Sequence, residues 1–110
     1  MSAAIRRHPD VADDIAAIAE YIAHDSEDAA RRFAPAVEAT IRGLADFPGK
    51  GSPKWFEHPR LAGIRSWAVD GFPNHLILYR READESVYIV TVIHGARQLP
   101  GILLPRQGSR

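Results

Sequence analysis

The first half of the chain twice places apolar residues at the spacing of an α-helix. After Asp10 they recur at intervals of four, three and four positions, at Val11, Ile15, Ile18 and Ile22, which puts them on one helical face. A second stripe follows Asp25 and Ser26, either of which can act as an N-cap, and consists of Ala30, Phe33, Val37, Ile41 and Leu44. Because only a few residues separate the two stripes, they predict an antiparallel helical hairpin.

Two features modify this prediction. Pro35 lies within the second stripe, where a proline costs about 3 kcal/mol because it lacks an N–H group and clashes with the preceding turn. We therefore expect one helix that kinks near Arg31–Arg32, with two shorter helices as the alternative. In the first helix, Asp10, Asp13 and Asp14 are expected to cap and solvate the positive helix end rather than to bind a metal.

The second half of the chain has the patterns of β-strands. Residues 64–69 alternate, with Ile64, Ser66 and Ala68 on one face and Arg65, Trp67 and Val69 on the other. Residues 87–94 are β-branched or apolar almost throughout. In chain order, the predicted elements outside the helices are a strand at Ala3–His8, a loop over 48–63, a strand at 64–69, a turn at Asp70–Asn74, a strand at His75–Arg80, a turn at Glu82–Glu85 and a strand at Val87–His94.

Helices followed by sequential strands predict an α+β fold. The N-terminal strand and the helical hairpin should pack on one face of a small, mostly antiparallel sheet, which leaves the other face to solvent, the tail or a partner. A chain of 110 residues corresponds to one domain. We therefore predict a single domain over residues 1–110, with a tail over 96–110.

The composition of the chain excludes or disfavours several classes of site and protein. The chain has no cysteine, which excludes disulfides, thiolate metal sites and a cysteine nucleophile. The first residues lack the apolar core of a signal peptide, and no apolar run approaches the roughly 20 residues that span a bilayer, so we expect a cytoplasmic protein. The net charge is zero, which argues against a protein that coats nucleic acid non-specifically. The cations are mostly arginine, either because arginine suits phosphate and carboxylate partners or because the genome is GC-rich.

The order of several short motifs resembles the ParE/RelE toxin superfamily, and most closely its ParE-like branch, often labelled plasmid stabilisation proteins. Each motif alone is also an ordinary core pattern, and their joint order over roughly residues 3–103 carries the resemblance. The motifs are P-x-V-A-x-D-I-x-x-I-x-x-Y-I-A at 9–23, A-x-x-x-F at 29–33, L-x-x-F-P-x-x-G at 44–51, L-Y-R at 78–80 and V-x-I-x-x-V-I-H-G-x-R at 87–97.

The resemblance implies the toxin half of a bacterial type II toxin–antitoxin pair. A cognate antitoxin is expected to wrap the toxin and neutralise it, in a heterodimer or heterotetramer, and to carry any binding to operator DNA. ParE-like members are described as inhibiting DNA gyrase, and RelE-like members as cutting mRNA on the ribosome. No cofactor is implied. A degenerate member that keeps only antitoxin binding is a third alternative.

The residues favour the gyrase alternative over the nuclease. In RelE-like enzymes, basic residues of the sheet act with a Tyr or His near the C-terminus, whereas no Tyr or His follows His94 in this chain. A set of side chains that is rich in arginine and has few groups able to accept a proton binds phosphate or carboxylate well but is poorly suited to catalysing RNA cleavage. If the chain is a nuclease, its candidate catalytic residues are His94, Arg97, Arg65 and Arg80.

Aromatic, arginine and apolar side chains are the candidates for contacts with a target or an antitoxin. Trp67 could equally be a core residue, and the apolar tail could either finish the core or be covered by a partner. The candidate set is Arg65, Trp67, Trp55, Arg60, Arg97, Leu99, Ile102 and Leu103.

The five histidines are not expected to form a metal site. His75 and His94 should lie near each other across the sheet, but no carboxylate or third ligand accompanies them in the sequence. His8, His24 and His58 are expected in loops or at the solvent-facing surface.

Overall fold

A helical hairpin and a mixed β-sheet form the part of the chain that the computed structural model describes, which is residues 3–54, 59–95 and 103–106. In chain order the helices and strands are β1 (Ile5–Arg7), α1 (Val11–Ala23), α2 (Glu27–Asp46), β2 (Ser52–Pro53), β3 (Arg65–Val69), β4 (Phe72–Arg81) and β5 (Val87–His94). Single 3-10 turns lie at Pro48–Lys50, Pro59–Leu61 and Leu104–Arg106.

The sheet has the strand order β1-β5-β4-β3-β2. Its first strand runs parallel to the last, with Ile5 opposite Val87, and the other neighbouring strands are antiparallel. The predicted α+β fold, with an N-terminal strand, a helical hairpin and a mostly antiparallel sheet, is therefore confirmed.

The second helix is continuous from Glu27 to Asp46, so the alternative of two shorter helices is wrong. Its N-cap is Ser26, whose hydroxyl oxygen accepts a hydrogen bond of 3.0 Å from the amide of Ala29. Pro35 and the residue one turn before it, Arg31, both lie on the exposed side of the helix. Water can therefore hydrogen-bond to the carbonyl oxygen of Arg31, which receives no amide hydrogen bond from Pro35. This lowers the energetic cost of the proline in the helix.

The apolar stripes of both helices pack on one side of the sheet, here called the helix side. Ile15 of α1 and Phe33 of α2 are buried there against Ile77 and Tyr79 of β4 and Ile89 of β5. Trp67 packs at the margin of the same cluster. The core of the domain thus lies between the hairpin and the sheet, as the two stripes predicted.

The opposite side of the sheet has a smaller apolar cluster. Ile64, Leu78, Tyr88 and Val90 are covered there by Leu61 and by Leu103, the residue before the turn at Leu104–Arg106. Leu103 is completely buried, so this part of the predicted tail contributes to the core. The predicted alternation in β3 is confirmed, because Ile64 and Trp67 lie in clusters on opposite sides of the sheet.

Two boundaries in the predicted loops and turns were wrong. The connection between β3 and β4 is only Asp70–Gly71, and Phe72, Pro73 and Asn74 already belong to β4. Within the predicted loop, Ser52–Pro53 forms β2, which pairs with Ser66 and Arg65 of β3. A proline is compatible with this position because β2 is an edge strand and its outer side needs no amide donor.

The polar residues around the start of α1 have specific roles. His8 was expected in a loop or at the surface, and it lies in the loop between β1 and α1, where it is buried and its Nδ1 accepts a hydrogen bond of 3.1 Å from the amide of Asp10. Asp10 makes no side-chain capping bond, and the carboxylate of Asp14 is engaged elsewhere, as described below. Neither helix of the described segments is both long and apolar enough to cross a membrane.

Candidate partner-binding groove

A groove of about 630 Å³ runs between α1 and the second half of β5. Since β1 ends opposite Ile89, the rest of β5 has no strand beside it on that edge within the described residues, and α1 forms the other wall. The groove is lined by Asp14, Ala17, Ile18, Tyr21, His75, Thr91, Val92, Ile93, His94 and Arg106.

The middle of the groove is apolar and partly open. Ala17 is exposed and Ile18 half-buried, and the ring of Tyr21 at the rim is 76% exposed. An exposed tyrosine beside an apolar floor is a common anchor point in protein interfaces. The volume lies within the range of pockets that take ligands or partner side chains.

One end of the groove is closed by charged groups. The hydroxyl of Thr91 donates a hydrogen bond of 2.8 Å to Asp14 Oδ2, and Arg106 Nη2 donates one of 3.1 Å to Asp14 Oδ1. Arg106 Nη1 also donates to the carbonyl of Val90 over 2.9 Å. The pKa of Arg106 is raised, chiefly by its hydrogen bond to Asp14.

A β-bulge makes this arrangement accessible. Leu78 pairs with Thr91 and Tyr79 with Ile89, so Val90 is an extra residue in β5. A bulge interrupts the hydrogen bonding between the strands and changes the direction of nearby backbone and side-chain groups. The carbonyl of Val90 can therefore accept from Arg106, and the hydroxyl of Thr91 can donate to Asp14. Sequence reasoning missed this cluster because its members are 77 and 92 residues from Asp14.

At the other end of the groove lie two histidines. His75 of β4 is directly opposite His94 of β5, and their ring centres are 5.4 Å apart with the planes at 87°. The predicted proximity of the two is confirmed. Burial lowers the pKa of His75, and the nearby His94 adds to this effect.

Arg65 and Trp67 are on the helix side of the sheet and hold the segment that follows α2. Arg65 Nη1 donates to the carbonyl oxygens of Gly51 and Gly49 over 2.7 Å and 3.3 Å. Lys50 Nζ lies 4.7 Å from the ring centre of Trp67. Both side chains therefore have structural contacts, and their predicted role in partner binding stays a prediction.

Arg80 lies on the opposite side of the sheet. It pairs with Tyr88 in the register, with its guanidinium carbon 4.9 Å from the ring centre, and its Nε donates to Glu82 Oε2 over 3.0 Å. Arg65, by contrast, is opposite Tyr79 of the helix-side core. The sheet therefore separates Arg80 from Arg65.

Of the remaining predicted contact residues, the structure describes two. Arg60 is exposed in the turn at Pro59–Leu61 and Leu103 is buried. Four predicted site residues lie outside the described residues, namely Trp55, Arg97, Leu99 and Ile102. The described segments hold no group of three or more His, Asp or Glu side chains that could bind a metal ion.

A sequence profile described as the ParE toxin of the type II toxin–antitoxin system parDE matches residues 5–99. The chain belongs to this ParE toxin family. ParE toxins pair with a ParD antitoxin, so the resemblance inferred from the motifs is confirmed for the family and for the class of partner.

The fold of this ParE-family chain has a counterpart among solved structures. It is similar to a chain of the chromosomal ParDE toxin–antitoxin system from P. aeruginosa, with a TM-score of 0.65 and 15% sequence identity. The match covers 84% of this chain and 96% of the other. No curated protein sequence matches the chain significantly.

Proposed function

We propose that this ParE-family toxin inhibits DNA gyrase by binding it, acts in the bacterial cytoplasm, and is neutralised by a cognate ParD antitoxin. The observation that carries the choice of a binding mechanism is the separation of Arg80 from Arg65 and His94. His94 lies opposite His75, whose ring contacts Phe33 on the helix side, whereas Arg80 stacks on Tyr88 on the other side.

RNA cleavage needs a base near the 2′-hydroxyl and cations around the same phosphate. Arg65 donates to backbone carbonyls and Arg80 to a carboxylate, so both guanidinium groups already have acceptors. With Arg80 on the other side of the sheet, these described candidates do not share one surface. Such an arrangement favours recognition of a protein over phosphodiester cleavage.

The groove between α1 and β5 is the proposed docking site of the antitoxin. Its apolar middle and the exposed ring of Tyr21 suit an apolar segment of the ParD chain. At the closed end, Asp14 and Arg106 neutralise each other, so the site does not demand a strongly charged occupant. The complex is proposed to be a heterodimer or a heterotetramer, with operator DNA bound only through the antitoxin.

The test combines purified components with intoxicated cells. In a supercoiling assay with purified gyrase and relaxed plasmid, the toxin should inhibit supercoiling, and an equimolar amount of its antitoxin should restore it. In cells, induction of the toxin should raise the SOS response while mRNA stays intact. An Arg80→Ala variant should behave like the wild type in both assays.

Three results would contradict gyrase inhibition in different ways. Fragmented mRNA without an SOS response would indicate the endonuclease, and loss of cleavage in His94→Ala or Arg97→Ala would then identify its site. Normal growth together with normal antitoxin binding would indicate a degenerate toxin. Growth arrest without either an SOS response or mRNA cleavage would point to another target.

A further inference from the structure

His75 and His94 occupy a special kind of cross-strand position. The amide of Gly95 donates to the carbonyl of Asn74 over 2.9 Å, and these are the residues next to the facing pair. His75 and His94 are therefore a pair without mutual backbone hydrogen bonds, in which the Cα atoms approach to about 4.5 Å and the side chains are closest. Both imidazoles project from the same side of the sheet.

The spacing of the rings suits two ligands of one metal ion. An imidazole nitrogen binds Zn²⁺ or a similar ion at about 2.0–2.1 Å, so two imidazoles at a tetrahedral angle have ring centres roughly 5 Å apart. The observed separation of the ring centres is 5.4 Å, with the planes at 87°.

The two rings differ in a way that helps binding. The ring of His75 packs edge-on against Phe33, with centres 5.3 Å apart, and against Phe72, with centres 6.4 Å apart, so its orientation is largely fixed before a metal arrives. His94 is exposed at the end of β5.

We propose that His75 and His94 together chelate a divalent transition metal that favours imidazole, Cu²⁺ or Zn²⁺, at the end of the groove between α1 and β5. No third His, Asp or Glu side chain accompanies them among the described residues, and in this proposal water occupies coordination positions that the two imidazoles leave. Cu²⁺ should bind more tightly than Zn²⁺, following the general order of divalent metals. This site does not depend on whether gyrase is the target.

Titration calorimetry of the full chain, with any affinity tag removed, tests the site with CuCl2 and ZnCl2 alone. One ion should bind per chain, more tightly for Cu²⁺. His75→Phe keeps an aromatic ring against Phe33 but removes the nitrogen ligands, and His94→Ala removes the exposed ligand. Each should weaken binding at least tenfold, whereas the control His24→Ala, at the exposed end of α1, should change it less than twofold. Wild-type affinity in both groove variants, or no saturable binding, would refute the chelate.

A second measurement uses only the wild-type protein, so a variant that misfolds cannot obscure the answer. Substoichiometric Cu²⁺ should broaden the imidazole NMR signals of His75 and His94 before those of the other histidines, and excess Zn²⁺ should restore them. Broadening that begins at His8, His24 or His58 would place the metal elsewhere and overturn the inference.

Discussion

Arg106 and Asp14 are 92 residues apart in the sequence and form a two-pronged ion pair that fastens the 103–106 segment to α1. Their side chains are only 14% and 19% exposed, and Thr91 and the carbonyl of Val90 complete the cluster. Removing one member of such a pair leaves the other charge poorly solvated, which costs more than the pair itself contributes.

Asp14→Asn should therefore lower the free energy of unfolding by roughly 2–3 kcal/mol. Urea denaturation at pH 7 measures the change, and Thr91→Val should give a smaller loss, since it removes one hydrogen bond and no charge. Arg31→Ala, in a pair whose side chains are 70% and 69% exposed, is the control and should stay within about 0.5 kcal/mol of the wild type. Equal effects of Asp14→Asn and Arg31→Ala would mean that the buried pair is not formed in solution.

Gly51 lies against the hydroxyl of Tyr79 in a space that no side chain can share. The Tyr79 hydroxyl accepts from the amide of Gly51 over 2.9 Å and donates to the carbonyl of Pro48 over 2.7 Å. A Cβ atom on Gly51 would lie 2.8 Å from Tyr79 Cε1 and 2.9 Å from Cζ. The backbone of Gly51 has φ of −68°, which any residue can adopt, so the restriction comes from packing alone.

Gly51→Ala should thus destabilise the fold by about 1–3 kcal/mol, as measured by thermal or urea unfolding. Gly49→Ala is the matched control, because a Cβ there meets nothing within 4 Å, and it should be neutral or slightly stabilising. The cost of Gly51→Ala should fall in a Tyr79→Phe background, where the hydroxyl is absent. An unchanged cost in that background would contradict the proposed contact.

The carboxylate of Glu82 makes stability depend on pH. Burial alone would raise its pKa, but hydrogen bonds and charges from Arg80 and Arg6 outweigh this and lower the pKa of the folded state. A carboxyl group whose pKa is lowered by folding stabilises the protein above its unfolded pKa, and that contribution is lost as the pH falls through the folded pKa.

The stability difference between the wild type and Glu82→Gln should accordingly be about 1–2 kcal/mol at pH 7 and should shrink as the pH is lowered through 4 to 3. Urea unfolding at a series of pH values measures it. The same series on Glu85→Gln, whose side chain is 74% exposed, should show no comparable trend. A Glu82→Gln difference that stays constant on acidification would show that the ion pairs do not contribute.

Antitoxin binding should be sensitive to the middle of the groove. Tyr21→Ala removes the exposed ring, and Ala17→Asp places a charge on the apolar floor, so each should weaken binding of the cognate ParD antitoxin by at least tenfold. Calorimetry with purified antitoxin, after circular dichroism has verified folding, gives the comparison. Arg42→Ala on the exposed side of α2 is the control and should bind normally. Normal binding by both groove variants would place the antitoxin on another surface.

The periodic parts of the fold could be predicted from the sequence. Val37 and Ile41 in α2, and Ile64 and Trp67 around β3, lie on the sides that their spacing indicated, because the periods of helices and strands are local properties. A strand as short as β2 has no period to detect, and Ser52–Pro53 was therefore assigned to a loop.

The candidate site could be predicted only in part. The two strand assignments were enough to bring His75 near His94, since consecutive strands joined by a short turn pair with each other. The role of Asp14 could not be predicted in the same way, because it depends on Thr91 and Arg106, and the position of Arg106 depends on the path of the tail. The contact of Arg65 with Gly49 and Gly51 likewise depends on the irregular segment after α2.

The parallel pairing of the first and last strands has a consequence for synthesis. Ile5 pairs with Val87 and Arg7 with Ile89, so β1 emerges from the ribosome long before β5, its neighbour in the described sheet, exists. The helical hairpin can form early from local contacts, but closure of the sheet waits until translation has passed residue 89. During that interval the nascent chain exposes the apolar face of α1 and α2 without its sheet, and the finished toxin can arise only after nearly the whole domain has been made.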